Sequence, residues 1–475
     1  MIIGRQKEIK ILNTVLESNK GEMIAVIGRR RVGKTFLIRR VYKDSILFEL
    51  VGVQHGSEEE QMEAFFSELT RLTDEKFEEP DNWLKGFFLL RKYLEPHLKK
   101  GKKVVLFFDE LPWLARPESS FLRALGHFWN SWASQQNIVV VLCGSASSWI
   151  IQKVINDKGG LHNRVTKYIH LKPFTLAETE EYFQREKKAK FTRYQITQMY
   201  MAFGGIPLYL EAVERGKSAI QNINDICFSE TGLLKNEFNR LYPALFEHAD
   251  HHIAVIRALA KKHSGMNRTE IIKTAKVPNG SSTSRVLEEL EQSDFIMAYH
   301  PFGKKKKDKI YRLTDEYSLF YLRFIEDTTY EGDGTFMQLS QLQEFKIWCG
   351  YAYENICMKH VPQIKKALGV SGVYTTTYSY YKKATADEKG LQIDMLLERA
   401  DRVINLFEVK FYNTEFVFTK AYAAKVQERL HLFMRLSKTR NYTLMTMITT
   451  FGLKHNMHSL GLVDPVLVLD DLFTA

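Results

Sequence analysis

One stretch decides the fold of the first part of this chain: Met23-Ile24-Ala25-Val26-Ile27-Gly28-Arg29-Arg30-Arg31-Val32-Gly33-Lys34-Thr35. It begins as a short apolar strand and passes into the pattern G-x-x-x-x-G-K-T, after which Phe36–Val41 has the spacing of a helix. A glycine loop between a strand and a helix is the context in which this short pattern becomes specific. We therefore predict a phosphate-binding loop.

The residue types of this loop suit a nucleotide and a magnesium ion. Gly28 and Gly33 let the backbone turn so that its N–H groups point at phosphate oxygens, and the helix start adds a positive dipole end. Lys34 is expected to reach the β- and γ-phosphates, and the Thr35 hydroxyl to hold Mg²⁺. The predicted nucleotide contacts in this region are Gly28, Val32, Gly33, Lys34, Thr35 and Phe36.

A second apolar run, Val104–Phe108, ends at Asp109-Glu110. Paired with the phosphate loop, this is the Walker B arrangement rather than a buried strand with an acidic turn. Asp109 is predicted to bind Mg²⁺ through water, and Glu110 to polarise the water that attacks the phosphate.

A third apolar run, Ile138–Leu142, is followed by Cys143-Gly144-Ser145. Continuous apolar strands of this kind favour a parallel sheet that is covered on both faces. We expect the third strand between the other two, with Ser145 facing the γ-phosphate. The alternative is a simple turn from strand to loop at Gly144.

The length and amino-acid composition are those of an ordinary protein with several domains. Its 475 residues predict about three domains. No apolar run reaches the ~18 residues that span a bilayer, and Met1–Glu8 does not read as a signal peptide. Four cysteines without metal-site spacing indicate a reducing compartment. We therefore expect a cytoplasmic protein with no membrane partner.

The charge balance permits a nucleic-acid partner without proving one. Lys and Arg number 67 against 56 Asp and Glu, and the pI is about 9.1. Excess positive charge favours binding to polyanions in general and carries no sequence specificity.

Several further segments resemble the archaeal ATPase group, an AAA+-like class close to the signal-transduction ATPases with numerous domains. Gly4-Arg5-x-x-Glu8 is similar to the box that lies against the adenine, and the arginine-rich loop is typical of the group. Gly204-Gly205-Ile206-Pro207 resembles a lid signature whose proline touches the base. The resemblance implies ATP as the nucleotide, bound between core and lid, with Gly4, Arg5 and Pro207 as contacts.

The same resemblance gives roles to two polar residues. Arg164, before a strand-like segment, is the candidate sensor or arginine finger, because a planar cation suits charge developing on a phosphoryl group. A surface arginine is the alternative. Ser145 stands where such proteins usually carry a sensor asparagine, a departure from the pattern.

After Asp250 the pattern predicts three helices and a hairpin, the order of a winged helix. The helices are expected at 252–260, 270–275 and 285–290, the last opened by Ser281-Ser282-Thr283-Ser284. Strands at 295–299 and 310–313 flank a lysine-rich loop, Gly303–Lys309. The third helix and the lysine loop suit DNA, whereas a packing module with a solvated loop is the alternative.

The last part of the chain combines two carboxylates and a lysine on a predicted hairpin. Asp394 lies in one strand, and Glu408 and Lys410 lie two residues apart on one face of the next. Asp394 and Glu408 would hold Mg²⁺, Lys410 would act on the attacking water or the phosphorane charge, and Glu354 could complete the metal shell.

This set resembles the PD-(D/E)xK nuclease superfamily, specifically the DUF234-type domain that accompanies archaeal-group ATPases. The usual proline before the aspartate is absent, since Ile393 stands there. A surface Glu–Lys pair, or a nuclease fold unable to cleave, are the alternatives.

The predicted architecture is an α/β multidomain chain. A P-loop NTPase parallel sheet (1–170) carries a helical lid (171–245), followed by a winged helix (250–328) and an α/β restriction-endonuclease-like domain (335–475). We expect an ATP-hydrolysing, Mg²⁺-dependent protein that binds DNA and carries a C-terminal nuclease domain. The alternative is a non-cleaving switch, and the oligomeric state, including a homo-oligomer, stays open.

Overall fold

The computed structural model describes residues 1–99, 101–246, 248–304, 308–328, 334–384 and 389–474. The chain divides into two compact units. The first comprises Met1–Pro173 with Gln292–Asp294, and the second comprises Phe174–Glu291 with Phe295–Ala475. In the described part of the chain, no helix is both long and apolar enough to cross a membrane.

The first unit is built on a parallel five-stranded sheet. Its strands are β1 (Glu22–Ile27), β2 (Ile46–Val51), β3 (Val104–Asp109), β4 (Ile138–Gly144) and β5 (Lys167–His170). The order across the sheet is β2-β3-β4-β1-β5, so β4 lies between β1 and β3 as predicted. Every residue of these three strands is buried, which is why they are continuously apolar.

Helices surround this sheet. They are α1 (Gln6–Leu16), α2 (Lys34–Val41), α3 (Glu58–Arg71), α4 (Trp83–Leu98), α5 (Leu111–Leu114), α6 (Phe121–Ser131) and α7 (Ser147–Ile150). One cluster of buried aromatic rings joins α3, α4 and α6 to β3, and in it the rings of Trp83 and Phe121 meet edge to face at 4.7 Å. This packing fixes the carboxyl ends of the strands, where the functional loops begin.

The second unit begins with five helices, in the region predicted as a lid. They are α8 (Leu176–Arg185), α9 (Arg193–Phe203), α10 (Pro207–Glu211), α11 (Ala219–Cys227) and α12 (Glu237–Leu241). Thr175 and Thr192 each begin a helix with a capping box, in which side chains satisfy the first exposed N–H groups.

A compact group of helices and strands follows, here called the basic module. It contains α13 (Ala249–Ala260), β6 (Met266–Asn267), α14 (Arg268–Ala275), α15 (Ser281–Gln292), β7 (Ile296–Tyr299) and β8 (Ile310–Leu313). The strands form an antiparallel sheet in the order β6-β8-β7. Asn267 caps α14 in a capping box with Glu270.

The remaining helices of the second unit are α16 (Glu316–Phe320), α17 (Thr335–Leu339), α18 (Gln343–Lys359), α19 (Val361–Ala367) and α20 (Lys420–Ser437). The strands are β9 (Thr375–Lys382), β10 (Leu391–Arg399), β11 (Val403–Lys410), β12 (Phe416–Val417), β13 (Tyr442–Thr449), β14 (Leu453–Lys454) and β15 (Val466–Val468).

Five of these strands form a mixed sheet, here called the C-terminal sheet, in the order β15-β13-β11-β10-β9. The pairs β9/β10 and β10/β11 are antiparallel, which confirms the predicted hairpin, whereas β11/β13 and β13/β15 are parallel. The register between β9 and β10 shifts between Ile393 and Leu396. Asp394 therefore lies at an irregularity of its strand, a feature that redirects side chains.

Candidate functional sites

The phosphate loop owes its shape to glycine. Gly28 and Gly33 have φ angles of +147° and +91°, which residues other than glycine rarely adopt. A Cβ atom on Gly28 would lie 2.2 Å from the carbonyl oxygen of Leu171, whereas one on Gly33 would meet open space. Gly28 is thus required by close packing as well as by its φ angle.

Lys34 is buried at the start of α2 and points across the loop. Its Nζ donates to the carbonyl oxygens of Gly28 at 2.9 Å and Arg29 at 3.1 Å, and to Ser145 Oγ at 3.1 Å. Within the described residues this buried ammonium is held by neutral oxygens, which phosphate oxygens can replace.

Thr35 and Asp109 meet at the magnesium position that the sequence predicts. The Thr35 hydroxyl donates to Asp109 Oδ2 at 2.6 Å, although the two residues lie 74 positions apart. A hydroxyl and a carboxylate are hard oxygen ligands of the kind that Mg²⁺ prefers, so this pair fits the ion.

Glu110 follows directly and is tied to Ser145. Its backbone adopts the left-handed conformation, with φ +47°. Ser145 Oγ donates to Glu110 Oε1 at 2.8 Å, and the Ser145 backbone N–H donates to Oε2 at 3.2 Å. Ser145 therefore contacts both Lys34 and Glu110.

The other site residues predicted in the first unit differ in their exposure to solvent. Arg5 is buried and donates to the carbonyl oxygens of Lys172 and Val32, a brace for the loop that the sequence did not suggest. Phe36 is 47% exposed on α2, and Arg164 is exposed in the segment before β5. Their predicted contacts with nucleotide stay predictions, as does that of Gly4.

Pro207 lies in the second unit, where it begins α10. Just before it, a Cβ atom on Gly205 would lie 2.0 Å from the carbonyl oxygen of Phe174, so the glycine is needed for packing. The contact predicted between Pro207 and the base stays a prediction.

Sequence reasoning missed Cys143 as a neighbour of Asp109. It is fully buried, and its pKa is raised first by burial and then by the negative charge of Asp109. A protonated thiol beside the carboxylate is a neutral neighbour that leaves the charge of Asp109 available. Its place one residue after the apolar run was the available signal.

The second predicted site gathers around Glu408 in the C-terminal sheet. Lys410 Nζ lies 3.0 Å from Glu408 Oε1, which confirms that the two share a face. The Tyr422 hydroxyl donates to the same oxygen at 2.5 Å, and Arg429 donates to Oε2 at 2.5 Å. Burial acts to raise the pKa of Glu408, but Arg429, Lys410 and the tyrosine hydrogen bond outweigh it, so the pKa is lowered.

Tyr422 and Arg429 were not predicted from the sequence. Both lie on α20 seven positions apart, on one face of the helix. That spacing on the helix after the Glu-x-Lys strand was the signal that could have found them.

Asp394 is close to this group and is only half buried. Gln392 Nε2 donates to Asp394 Oδ1 at 2.9 Å, and Arg429 donates to the backbone carbonyl of Gln392 at 2.9 Å. Leu396 of β10 pairs with Leu406 of β11. Because the strands are antiparallel, Asp394, two residues before Leu396, lies towards the same end of the pair as Glu408, two residues after Leu406. The structure thus brings Asp394, Glu408 and Lys410 into one region.

Glu354, on α18, faces the same region. Burial raises its pKa to about 8, and the charges of Asp394 and Glu408 add to that effect while Arg312 and Lys410 oppose it. Arg312, itself 4% exposed, lies 3.7 Å from Glu354. At neutral pH the protonated form of Glu354 is therefore favoured.

In this arrangement side chains of the protein occupy the Glu408 carboxylate. Both of its oxygens already accept hydrogen bonds, Oε1 from the Tyr422 hydroxyl and Oε2 from Arg429. Across the residues that the structure describes, no group of three or more His, Cys, Asp or Glu could hold a metal. The metal roles of Asp394, Glu408 and Glu354 therefore remain predictions.

The structure describes part of the surface of the basic module that is predicted to contact DNA. Ser281, Ser282 and Ser284 are exposed at the start of α15. Thr283 is 1% exposed and donates inward to the carbonyl of Pro278, so its hydroxyl does not face solvent. Lys305–Lys307 of the lysine loop, and Glu331–Asp333 of a stretch that reads as a linker, lie outside the described residues.

The geometry of the first unit defines a class of protein. A phosphate loop leads from a parallel strand into a helix, and Asp109-Glu110 ends the strand two places across the sheet. The first unit therefore has the fold and the site of a P-loop NTPase.

Comparisons with known proteins narrow that class. Residues 2–213, less than half of the chain, match a family described as an ATPase domain predominantly from Archaea. An uncharacterized protein of Methanocaldococcus jannaschii is 22% identical over 420 residues, covering 86% of this chain and 88% of its own. Residues 2–213 are thus similar to an archaeal-type ATPase domain.

One solved structure supports the fold. The Walker-type ATPase of Pyrococcus abyssi is 19% identical, with a TM-score of 0.50, and the match covers 68% of this chain and 96% of that one. The ORC2 protein of Aeropyrum pernix is 14% identical with a TM-score of 0.40, covering 71% and 95%.

Proposed function

We propose that this protein binds ATP with Mg²⁺ and hydrolyses it to ADP and phosphate. The observation that carries the proposal is the contact of Ser145 with both Lys34 and Glu110, beside the Thr35–Asp109 pair. A phosphate-binding cation, an acid that can act on water and a pair of magnesium ligands are thereby assembled in one place.

Each residue has a separate task in this reaction. Lys34 binds the phosphate oxygens, and Thr35 and Asp109 hold Mg²⁺, which supplies charge stabilisation on the phosphate oxygens when bound. Glu110 orients the attacking water and accepts its proton. Ser145 fixes the position of the Glu110 carboxylate through two hydrogen bonds.

Two substitutions separate binding from turnover. Lys34→Ala is expected to abolish ATP binding, whereas Glu110→Gln should keep binding and lower kcat by about 100-fold or more. Binding is measured with a fluorescent ATP analogue and turnover by phosphate release. Exposed Lys43 and Glu118 supply the matched controls Lys43→Ala and Glu118→Gln. Normal hydrolysis by Glu110→Gln would show that Glu110 is not the base.

We further infer that the basic module is a winged helix that binds DNA. Its three helices and its antiparallel sheet occur in the required order, and α15 presents hydroxyls and Arg285 to solvent. Exposed donors on such a helix suit contacts with the phosphate backbone. ATP and DNA are thus the proposed partners, and a homo-oligomer remains open.

For the C-terminal domain, the geometry supports a binding role without cleavage. The Glu408 carboxylate is neutralised by Lys410 and Arg429, and Glu354 favours its protonated form. A site of this kind presents cations and neutral donors to a phosphate. Mg²⁺-dependent cleavage is the second candidate, favoured by the convergence of Asp394, Glu408 and Lys410.

A cutting assay distinguishes the two roles. Plasmid and single-stranded DNA are incubated with Mg²⁺, with and without ATP, using wild type, Lys410→Ala and the exposed-lysine control Lys454→Ala. The binding role predicts that none of the three proteins cuts. Cutting by wild type and Lys454→Ala that is lost in Lys410→Ala would establish a nuclease instead.

A further inference from the structure

A large cleft in the second unit runs between the basic module and the C-terminal sheet. Its volume is about 670 Å³, and its walls come from α14 and β8 on one side and from β9 and β10 on the other. The walls are joined by backbone, because the N–H of Phe302 donates to the carbonyl of Ser379 at 2.7 Å. The cleft reaches Asp394, a residue of the candidate site.

Tyrosine rings from both walls border this cleft. Tyr311 belongs to β8 and is partly exposed, whereas Tyr381 belongs to β9 and is 55% exposed. Aromatic rings presented to solvent in a groove are platforms on which nucleic-acid bases stack, and such stacking tolerates any base sequence.

The cleft also carries an excess of cations. Its charged lining consists of Lys262, Arg268, Lys304 and Lys309 against Glu270, Asp308 and Asp394. Lys262 is neutralised by Glu270 at 2.8 Å, and Lys309 lies 3.9 Å from Glu291, an acidic residue outside the lining. Arg268 instead donates to two neutral oxygens, those of the Asn279 side chain and the Gly280 backbone, and among the described residues no carboxylate accepts a hydrogen bond from it.

The size of the cleft distinguishes between kinds of nucleic acid. A volume of about 670 Å³ is that of a pocket for a ligand of moderate size. A double helix, whose major groove alone is about 12 Å wide, is read from its outside by protruding elements rather than enclosed in such a pocket. A segment of one strand with unstacked bases suits the cleft better.

We propose that this cleft binds single-stranded nucleic acid, with Tyr311 and Tyr381 stacking on bases, Arg268 and Lys309 contacting phosphates, and the strand passing Asp394. The proposal rests on the nucleic-acid binding proposed above and names its substrate class and path. It assigns duplex contacts to α15 and single-strand contacts to the cleft, two surfaces of the same unit.

Fluorescence anisotropy with labelled oligo-dT, oligo-rU and a duplex of equal length tests the assignment in the full-length protein. Tyr311→Ala and Tyr381→Ala are expected to raise the Kd for single strands about fivefold or more. Arg268→Ala should weaken binding and lower the slope of log K against log salt by about 1. Asp394→Asn, measured in EDTA, should tighten binding because it removes a negative charge from the path.

Matched variants guard against indirect effects. Tyr381→Phe keeps the ring and should bind like wild type. Tyr442→Ala removes a tyrosine that is 68% exposed outside the cleft, and Arg215→Ala removes an exposed arginine of the second unit that does not line the cleft. Both should leave single-strand binding unchanged. Thermal unfolding of every variant must match wild type for its Kd to be compared.

The outcomes separate this proposal from the one on which it rests. If wild type binds the duplex but neither single strand, nucleic-acid binding stands and the cleft assignment is wrong. If wild type binds single strands and the two tyrosine-to-alanine variants bind equally well, the cleft is again wrong. An unchanged Kd in Asp394→Asn would place the strand elsewhere, and no binding to any probe would overturn both proposals.

Discussion

Ser145 is a single residue whose role depends on two neighbours from distant parts of the chain. It is 7% exposed and lies directly after β4, with its hydroxyl against both Lys34 and Glu110. The short side chain of the serine is enough to contact both groups. Because Ser145 donates two hydrogen bonds to the Glu110 carboxylate, the serine is expected to position that carboxylate.

Ser145→Ala should therefore lower turnover more than binding. Losing the hydroxyl frees one oxygen of the Glu110 carboxylate, and misplacement of a catalytic group costs on the order of 10- to 100-fold in kcat. We expect kcat for ATP to fall by that factor while KM changes little, as measured by steady-state phosphate release.

Ser147→Ala is the matched control in the same turn. The Ser147 hydroxyl is buried and has no hydrogen-bond partner within the part of the chain that the structure describes, so its removal should leave kcat unchanged. Equal rates for Ser145→Ala and wild type would show that the hydrogen bonds to Glu110 do not position it.

Among the helices and strands, α18 contacts several other segments of the second unit. Asn355 on this helix donates to the backbone carbonyl of Thr314, and Lys359 pairs with Glu316 at 2.7 Å. His360, directly after the helix, accepts from the backbone N–H of Leu176 at the start of α8. The helix that carries Glu354 is thus held by polar contacts on both sides.

Lys359→Met should destabilise the second unit. Glu316 is 4% exposed, and burial raises its pKa while the charge of Lys359 lowers it. Without the lysine the carboxylate must stay charged in the interior or take up a proton, and breaking such a pair costs about 3 kcal/mol. Urea unfolding followed by circular dichroism measures the loss.

Two variants show whether the pair itself is responsible. Lys346→Met removes an exposed lysine from the same helix and should change stability little. Glu316→Gln added to Lys359→Met should recover part of the loss, because it removes the unpaired charge. If Lys359→Met were as stable as wild type, the pair would contribute nothing to holding α18.

At the scale of the whole molecule, the second unit brings the basic module and the C-terminal sheet to a common cleft. Its lining residues come from three stretches, 262–270, 299–311 and 379–394, separated by loops and helices. A cleft of this kind arises from packing, so composition indicated only that the chain was basic. Only the packing of the basic module against the C-terminal sheet brings the basic residues to the proposed path of the nucleic acid.

The sequence by itself determined the phosphate loop, the strands that end at Asp109-Glu110 and before Ser145, and the hairpin with Asp394, Glu408 and Lys410. These features are local: apolar runs, glycines with special φ angles and the period of a strand depend on neighbours along the chain.

Only the tertiary structure decided which groups meet. It joined Ser145 to Lys34 and Glu110, and it placed Tyr422 and Arg429 against Glu408, which neutralised the carboxylate that had been expected to hold a metal. The partners of a side chain are set by packing between elements far apart in sequence, and the charge state of a buried carboxylate follows from those partners.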